Sequence, residues 1–428
     1  MTVTLPPGPV AGTLAAIPSK SAAHRLLIAA ALADKPTAVR IPKTNRDIEA
    51  TIRCLTALGA DIRPRGEEFL VTPLDPGPGT CVLDCGESGS TLRFLVPVAG
   101  ALGKRAVFRL AGRLAQRPME PLAGELAAHG CDLTLDPAAQ TLTVTGALVP
   151  GDYVLPGNVS SQFFTGLLFA LPLLAGPSTL RIKGELESAA YLDLTLDALA
   201  RFGLTPAPLP DPGWTVPAQD YRSPGRVETE GDWSNAAPWL CMGALAGSGI
   251  TVTGLNNESL QGDRAVCAVL ARQGGQVTCY RDRVTVRPGT PEPTVIDARN
   301  IPDLVPVLAA LAAASPGVTR VTGAARLRLK ESDRLETTAR LLNDLGGQVR
   351  ETEDGLLITG GARLRGGTAD AAGDHRIVMA AAVASAVSTG PVTILGAQAI
   401  EKSYPTFWED LEALGKKPRF HPQDGSGM

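Results

Sequence analysis

At 428 residues the chain is too long for one ordinary core, so two domains or a repeat architecture is expected. A net charge of −3 offers no global attraction for nucleic acid or an anionic membrane, so an anion site must be local. Apolar residues reach 44% with only 4% aromatics, which points to a core of leucine, valine and alanine. No apolar run reaches the roughly 18 residues of a membrane span. The opening MTVTLPPGPVAGTL lacks the basic-then-apolar order of a secretory signal and does not read as a transit peptide, so a cytoplasmic location is expected. Cys54, Cys81, Cys85, Cys131, Cys241, Cys267 and Cys279 are scattered, and no histidine stands near the Cys81–Cys85 pair. Reduced thiols and no zinc site are the expectation.

In chain order, IPSKSAAHRLLIAAALA puts Lys20, Ser21 and Arg25 at the start of an apolar helix. Such a start is either an ordinary capped helix or a seat for phosphate or carboxylate. DCGESGSTLRFLVPVAG reads as a strand end, a loop with Gly86 and Gly89, and a helix that Ser90 or Thr91 can cap. Arg113 and Arg117 flank RLAQRP before a helix opened by Pro118. NVSSQFFTGLLFALPLL brings Ser160, Ser161 and Gln162 to another helix start, and ESAAYLDLTL brings Ser188 and Tyr191 to the corresponding place. The Pro- and Gly-rich middle ends in a run at residues 226–230 that reads as an inter-domain crossing near the half-way point. The second half repeats the theme. Asp303 heads a very apolar helix, Asp374, His375 and Arg376 precede the next, and Lys402 precedes the last.

The run RLRLKESDRLETTARLLNDLGG, residues 326–347, carries the densest charge. Its alternation predicts a strand with Leu327 and Leu329 inward, followed by a helix through Leu335, Ala339 and Leu342 capped by Ser332 or Asp333. Lys330, Glu331 and Arg334 would then stand at the junction, beside free backbone N–H groups and the positive end of the helix dipole.

One pattern recurs six times: a helical run, a glycine, then a β-rich run. The glycines are Gly59, Gly130, Gly203, Gly274, Gly346 and Gly415, spaced by 71, 73, 71, 72 and 69 residues. Glycine just past a helix end is the expected left-handed cap. Each repeat reads as strand, helix, strand, helix, two strands, giving an α/β (α+β) chain of two three-repeat domains. The cleft between such domains is the default site, and helix N-termini from both sides would make it an anion trap.

These stretches match a family. SKSAAHR, GESGSTLR, RLAQRPM, VSSQF, ESAAYLD, EGDWSNAA, IPDL, LKESDR, DHR and EKSYP occur in the order of the 5-enolpyruvylshikimate-3-phosphate (EPSP) synthase family, which the chain resembles over nearly its whole length. The resemblance implies two domains of three βαβαββ units each, in an inside-out α/β barrel arrangement, with the N-terminal strand belonging to the C-terminal half, so that 18–228 form one domain and 1–17 plus 229–428 the other. It implies transfer of the enolpyruvyl group of phosphoenolpyruvate to the 5-hydroxyl of shikimate 3-phosphate, with release of phosphate, on the route to chorismate and the aromatic amino acids. It assigns Lys20, Ser21, Arg25, Ser160, Ser161, Gln162, Ser188, Tyr191, Asp303 and Lys330 to shikimate 3-phosphate. Lys20, Gly89, Arg117, Gln162, Arg334, Arg376 and Lys402 go to phosphoenolpyruvate. Asp303, Glu331 and Lys20 are the implied proton-transfer groups. No motif calls for a metal or organic cofactor, and a monomer working on small molecules alone is expected. The chain departs from the family's usual residues at Ile17-Pro18, Glu87, Ala190, Arg326 and Gly373. Two rival readings are a UDP-N-acetylglucosamine enolpyruvyl transferase and a non-catalytic sugar-phosphate-binding relative. The first typically has a cysteine on a loop where RLAQRPM stands here. The second should have lost an acid or base, yet Asp303, Glu331 and Lys20 are all present.

Overall fold

The computed structural model describes residues 1–421 apart from 76, 78, 246 and 362. It divides into two compact units, Pro18–Thr229 and Met1–Ile17 with Glu230–Met428. Each unit has its own apolar core.

Each unit holds three four-stranded sheets of one design. In the second repeat of the Pro18–Thr229 unit, Thr80–Gly86 pairs in parallel with Arg105–Leu110. Arg105–Leu110 pairs antiparallel with Thr141–Gly146, which pairs antiparallel with Cys131–Asp136. A parallel neighbour needs a crossover, and the helix Gly89–Ala101 supplies it. The first repeat of this unit takes its parallel edge strand, Arg226–Glu228, from the far end of the unit. In the other unit Gly12–Ala15 opens a repeat beside Ile250–Thr253, while Thr2–Leu5 completes the last one between Val392–Leu395 and Arg419–His421. The six βαβαββ repeats are therefore present, and in each unit a strand from the end of the unit's own stretch of chain completes a sheet.

Sequence dictates where each helix lies. The first helix of a repeat is apolar on every side and buried nearly throughout, as in Val305–Ala314 (VPVLAALAAA) and Ser161–Ala170 (SQFFTGLLFA). The second is amphipathic and lies against the sheet edge with a polar outer face, as in Arg46–Ala57 and Arg334–Asp344. Small residues let the buried helices touch. A Cβ on Gly166 would sit 2.3 Å from the Arg93 carbonyl, so Ser161–Ala170 meets Gly89–Ala101 at a point only glycine permits. The six repeat glycines all stand just past a second helix at φ between 80° and 112°, the left-handed cap their spacing predicted.

Two local expectations fail. Residues 326–330 are not a strand: Ala325–Leu329 is a 3-10 turn. The preceding strand, Gly317–Thr322, already ends at Gly323, whose φ of 64° turns the chain away from the sheet. Leu327 points inward, but Leu329 is 52% exposed. Pro118 does not open a helix either. A 3-10 turn at Leu114–Gln116 comes first, and the helix is Leu122–Ala128, beginning after Pro121.

Candidate functional site

In the unit Pro18–Thr229, the candidate residues gather at the N-terminal ends of the buried helices. Ser19, not Ser21, caps Lys20–Ala31. Ser88, not Ser90 or Thr91, caps Gly89–Ala101. Ser160 caps Ser161–Ala170. With Ser88 capping, Ser90 is left to accept a hydrogen bond from Gln162 Nε2 at 3.0 Å, while Gln162 Oε1 accepts from Arg93 Nη1 at 2.9 Å. That pair of bonds fixes the amide orientation at the mouths of two helices. Lys20 Nζ lies 2.9 Å from Asp47 Oδ2, on the first turn of the neighbouring helix Arg46–Ala57. Gly89 lies against Arg117: a Cβ there would fall 2.6 Å from Arg117 Nη1.

Arg25 is the organising cation of this unit. It is buried, and its N–H groups reach Thr195 Oγ1 (2.9 Å), the Ser21 carbonyl (2.8 Å), Thr165 Oγ1 (3.3 Å) and the Tyr191 carbonyl (2.8 Å). These bonds tie the first turns of Lys20–Ala31 and Ala190–Arg201 to Ser161–Ala170. Among the described residues no carboxylate pairs with Arg25. Burial lowers its pKa to about 10, with the nearby Tyr191 opposing, which leaves it cationic at neutral pH. A buried positive charge with only neutral partners, next to three helix N-termini, favours an anion. Next to Arg25, His24 is driven the other way. Burial, against the pull of Asp47, takes its pKa down to about 3, so it stays neutral while bonding Thr51 at 2.7 Å. Ser188 is buried with φ 59°, a left-handed conformation unusual for serine, just ahead of the helix Ala190–Arg201 that carries Tyr191.

In the unit of Met1–Ile17 and Glu230–Met428, the cluster is ionic. Arg334 opens Arg334–Asp344 and is buried, with Asp333 as the helix cap. Its guanidinium spans three carboxylates: Asp374 at 2.8 Å, Asp303 at 2.8 Å and Glu331 at 2.9 Å. Arg376 reaches Asp303 Oδ2 at 3.2 Å and the Ser234 carbonyl at 2.9 Å. Lys402 Nζ lies 3.6 Å from the other Glu331 oxygen. Asp303 sits in a 3-10 turn, Pro302–Leu304, and caps no helix. Burial would raise its pKa, but Arg334, then Arg376 and Lys330, outweigh that and hold it well below the usual carboxylate range. Burial would lower Arg334 and Arg376, but Asp374, Glu331 and Asp303 push Arg334 upward, and Asp303, Asp232 and Asp263 push Arg376 upward. Asp303 and Glu331 are thus presented as carboxylates held by cations.

The structure brings Lys20, Ser21, Arg25, Gly89, Arg117, Ser160, Ser161, Gln162, Ser188 and Tyr191 to one unit, and Asp303, Lys330, Glu331, Arg334, Arg376 and Lys402 to the other. Sequence reasoning passed over Asp47, Arg93 and Asp263. Asp47 does carry a faint signal, as an acidic residue in the first turn of a predicted helix; Arg93 and Asp263 carry none.

The EPSP synthase (3-phosphoshikimate 1-carboxyvinyltransferase) family matches residues 5–411. The 3-phosphoshikimate 1-carboxyvinyltransferase of Clostridium kluyveri is 40% identical over 418 residues, covering 96% of this chain and 97% of that protein. That of Methanocorpusculum labreanum is 35% identical over 413 residues, covering 96% and 97%. Among solved structures, an EPSP synthase from Acinetobacter baumannii superposes with a TM-score of 0.79 at 25% identity, covering 98% of this chain and all of that one. The enolpyruvyl transferase NikO from Streptomyces tendae, at 19% identity and a TM-score of 0.75 over 98% of each chain, shares the fold.

Proposed function

The chain belongs to the EPSP synthase family, and from that premise we propose that it moves the enolpyruvyl group of phosphoenolpyruvate onto the 5-hydroxyl of shikimate 3-phosphate by addition and elimination. The observation that carries the residue roles is the single guanidinium of Arg334 holding Asp303 and Glu331 together. Arg25, Ser160, Ser161, Gln162, Ser188 and Tyr191 receive shikimate 3-phosphate, with Ser21 beside them and Lys330 as a further contact. Arg117, Arg334, Arg376 and Lys402 take the carboxylate and phosphate of phosphoenolpyruvate, with Gly89 leaving room for Arg117 and Gln162 and Lys20 beside it. Asp303 removes the proton of the 5-hydroxyl as the oxygen attacks C2. Glu331 delivers a proton to the methylene carbon, and Lys20 carries or balances charge. In the second step the methyl group gives a proton back, the C–O bond to phosphate breaks, and the cations neutralise the departing anion. The enzyme acts as a monomer in the cytoplasm.

A phosphate-release assay tests the reaction. Turnover is expected with phosphoenolpyruvate plus shikimate 3-phosphate and none with UDP-N-acetylglucosamine in place of the latter. The opposite preference would replace this reading with the sister transferase.

The position of Gly89 supports a second expectation. Glyphosate, which carries a phosphonate and a carboxylate, should compete with phosphoenolpyruvate. In Gly89→Ala the new methyl must displace the Arg117 guanidinium, the far end of a flexible side chain, so the fold survives. A misfitting methyl is worth roughly 10- to 200-fold in discrimination. The inhibition constant should therefore rise by about tenfold or more, and by a larger factor than the KM for phosphoenolpyruvate. Equal factors for both would remove Gly89 from the discriminating position.

A further inference from the structure

One buried carboxyl beside this cluster has no part in the mechanism above. Asp263 lies in the 3-10 turn Gly262–Ala265, packed against the helix Trp233–Leu245, and is 3% exposed. Its Oδ2 accepts a hydrogen bond from Ser234 Oγ, and its Oδ1 has no hydrogen-bond partner among the described residues. The carbonyl of that same Ser234 holds Arg376 Nη1 at 2.9 Å, and Arg376 Nη2 holds Asp303 at 3.2 Å. Among the described residues, Asn235 Oδ1, at 3.4 Å from Arg376 Nη1, is the other side-chain oxygen on this guanidinium, and Arg376 Nε has no hydrogen-bond partner. Ser234 thus joins the two groups, its hydroxyl on Asp263 and its backbone carbonyl on Arg376, and Arg376 in turn holds Asp303.

We propose that Asp263 is a positioning residue for the transfer reaction: through Ser234 it sets where the Arg376 guanidinium sits, and through its charge it sets how basic Asp303 is. This rests on the transferase reading given above. The charged groups that face Asp263 are Asp303, Arg376 and Asp232. Burial first, then the charge of Asp303, drive its carboxyl up to about 7, with the Ser234 hydroxyl and Arg376 pulling down and Asp232 adding a smaller upward push. Asp263 therefore changes charge near neutrality. While it is neutral, Arg376 has one fewer internal anion competing with the phosphoenolpyruvate anion. Once it ionises, Arg376 is shared, and an added negative charge makes Asp303 a stronger base.

The signs follow. As pH rises through 7, the wild-type KM for phosphoenolpyruvate should rise and kcat should rise with it, each by a factor on the order of tenfold, as one nearby unit charge would produce. Asp263→Asn is neutral at every pH. It should hold the low-pH values of both constants from pH 6 to 8, a flattening that mere loss of packing would not produce. Ser234→Ala keeps the carboxyl but removes the donor that stabilises its ionised form, so the inflection should move to higher pH. This second variant decides the matter if Asp263→Asn does not fold. A folded Asp263→Asn with the wild-type pH profile, or a folded Ser234→Ala with an unmoved inflection, would overturn the assignment while leaving the reaction intact. Wild type inert toward both substrates would overturn the reading and this role with it.

Discussion

Asp303→Asn should lower kcat by on the order of 10²-fold or more, the range of a single acid–base group, while the protein remains folded. The substitution keeps volume and removes both charge and proton affinity. Its amide can still accept from one guanidinium, but it must turn an NH2 toward the other, since Arg334 and Arg376 hold the two oxygens of Asp303 from separate sides. The side chain is 21% exposed, so water can take part of that misfit and the fold is spared. KM for phosphoenolpyruvate should change less than kcat, because Arg334 and Arg376 stay in place. Glu331→Gln and Lys20→Met should each show a similar drop in kcat. Steady-state kinetics at neutral pH is the check, and near-wild-type turnover in any one variant would strike that residue from the mechanism. The depressed proton affinity of Asp303 adds a condition. A carboxylate held that far down is a weak base, so its two guanidiniums must be engaged by substrate anions before it acts. Shikimate 3-phosphate alone should therefore not lose its 5-hydroxyl proton to Asp303. Phosphoenolpyruvate is required for that step.

Much of the fold was legible because glycine has one strong reason to stand after a helix. Gly59, Gly130, Gly203, Gly274, Gly346 and Gly415 all adopt the left-handed conformation that an L side chain resists, so their spacing counted the repeats. Alternation was a poorer guide. Five residues of charged and leucine pattern, Arg326–Lys330, fit a 3-10 turn as well as a strand, and Gly323 had already ended the sheet. The helix starts that carry several of the candidate cations were legible too, because capping residues mark them. The partners of those cations were not. Asp47 meets Lys20 across 27 positions and Asp374 meets Arg334 across 40, and a linear reading weighs each charge alone. The structure gives Arg334 Asp374 as a third carboxylate beside Asp303 and Glu331, and gives Lys20 one of its own, while Arg25 keeps neutral partners. Asp263 left no trace in the sequence because its importance comes only from the turn that folds it under Ser234.

The stability of the ionic cluster should hinge on Arg334. Its side chain is 1% exposed and spans Asp374, Asp303 and Glu331, of which Asp374 is fully buried and caps the helix His375–Ser385. Arg334→Met fills similar space and leaves three carboxylates without their common cation. Removing one partner of a buried pair costs about 3–5 kcal/mol, because the remaining charge has lost water and gained nothing. Arg376 still serves Asp303, Lys402 still serves Glu331, and Ser332 with the Arg376 amide still serves Asp374, so total unfolding at neutral pH is not expected. The effect should fall on the transition of the unit that contains residues 230–421, since each unit has its own core. Its pH dependence has a definite sign. Asp303 has a folded pKa below its unfolded value near 3.9, so its contribution is fully present above about pH 4 and is lost as pH falls through the folded value. The gap between wild type and Arg334→Met should therefore be widest near pH 7 and narrow below pH 4. Arg334→Lys should fall between the two, because one ammonium cannot match a guanidinium fork facing three acceptors. Urea melts of the three proteins at pH 7 and again at the lowest pH where wild type still folds would measure this. A methionine variant as stable as wild type at pH 7, or a gap that stays constant on acidification, would mean that the cluster is held by packing and that Arg334 serves the substrate alone.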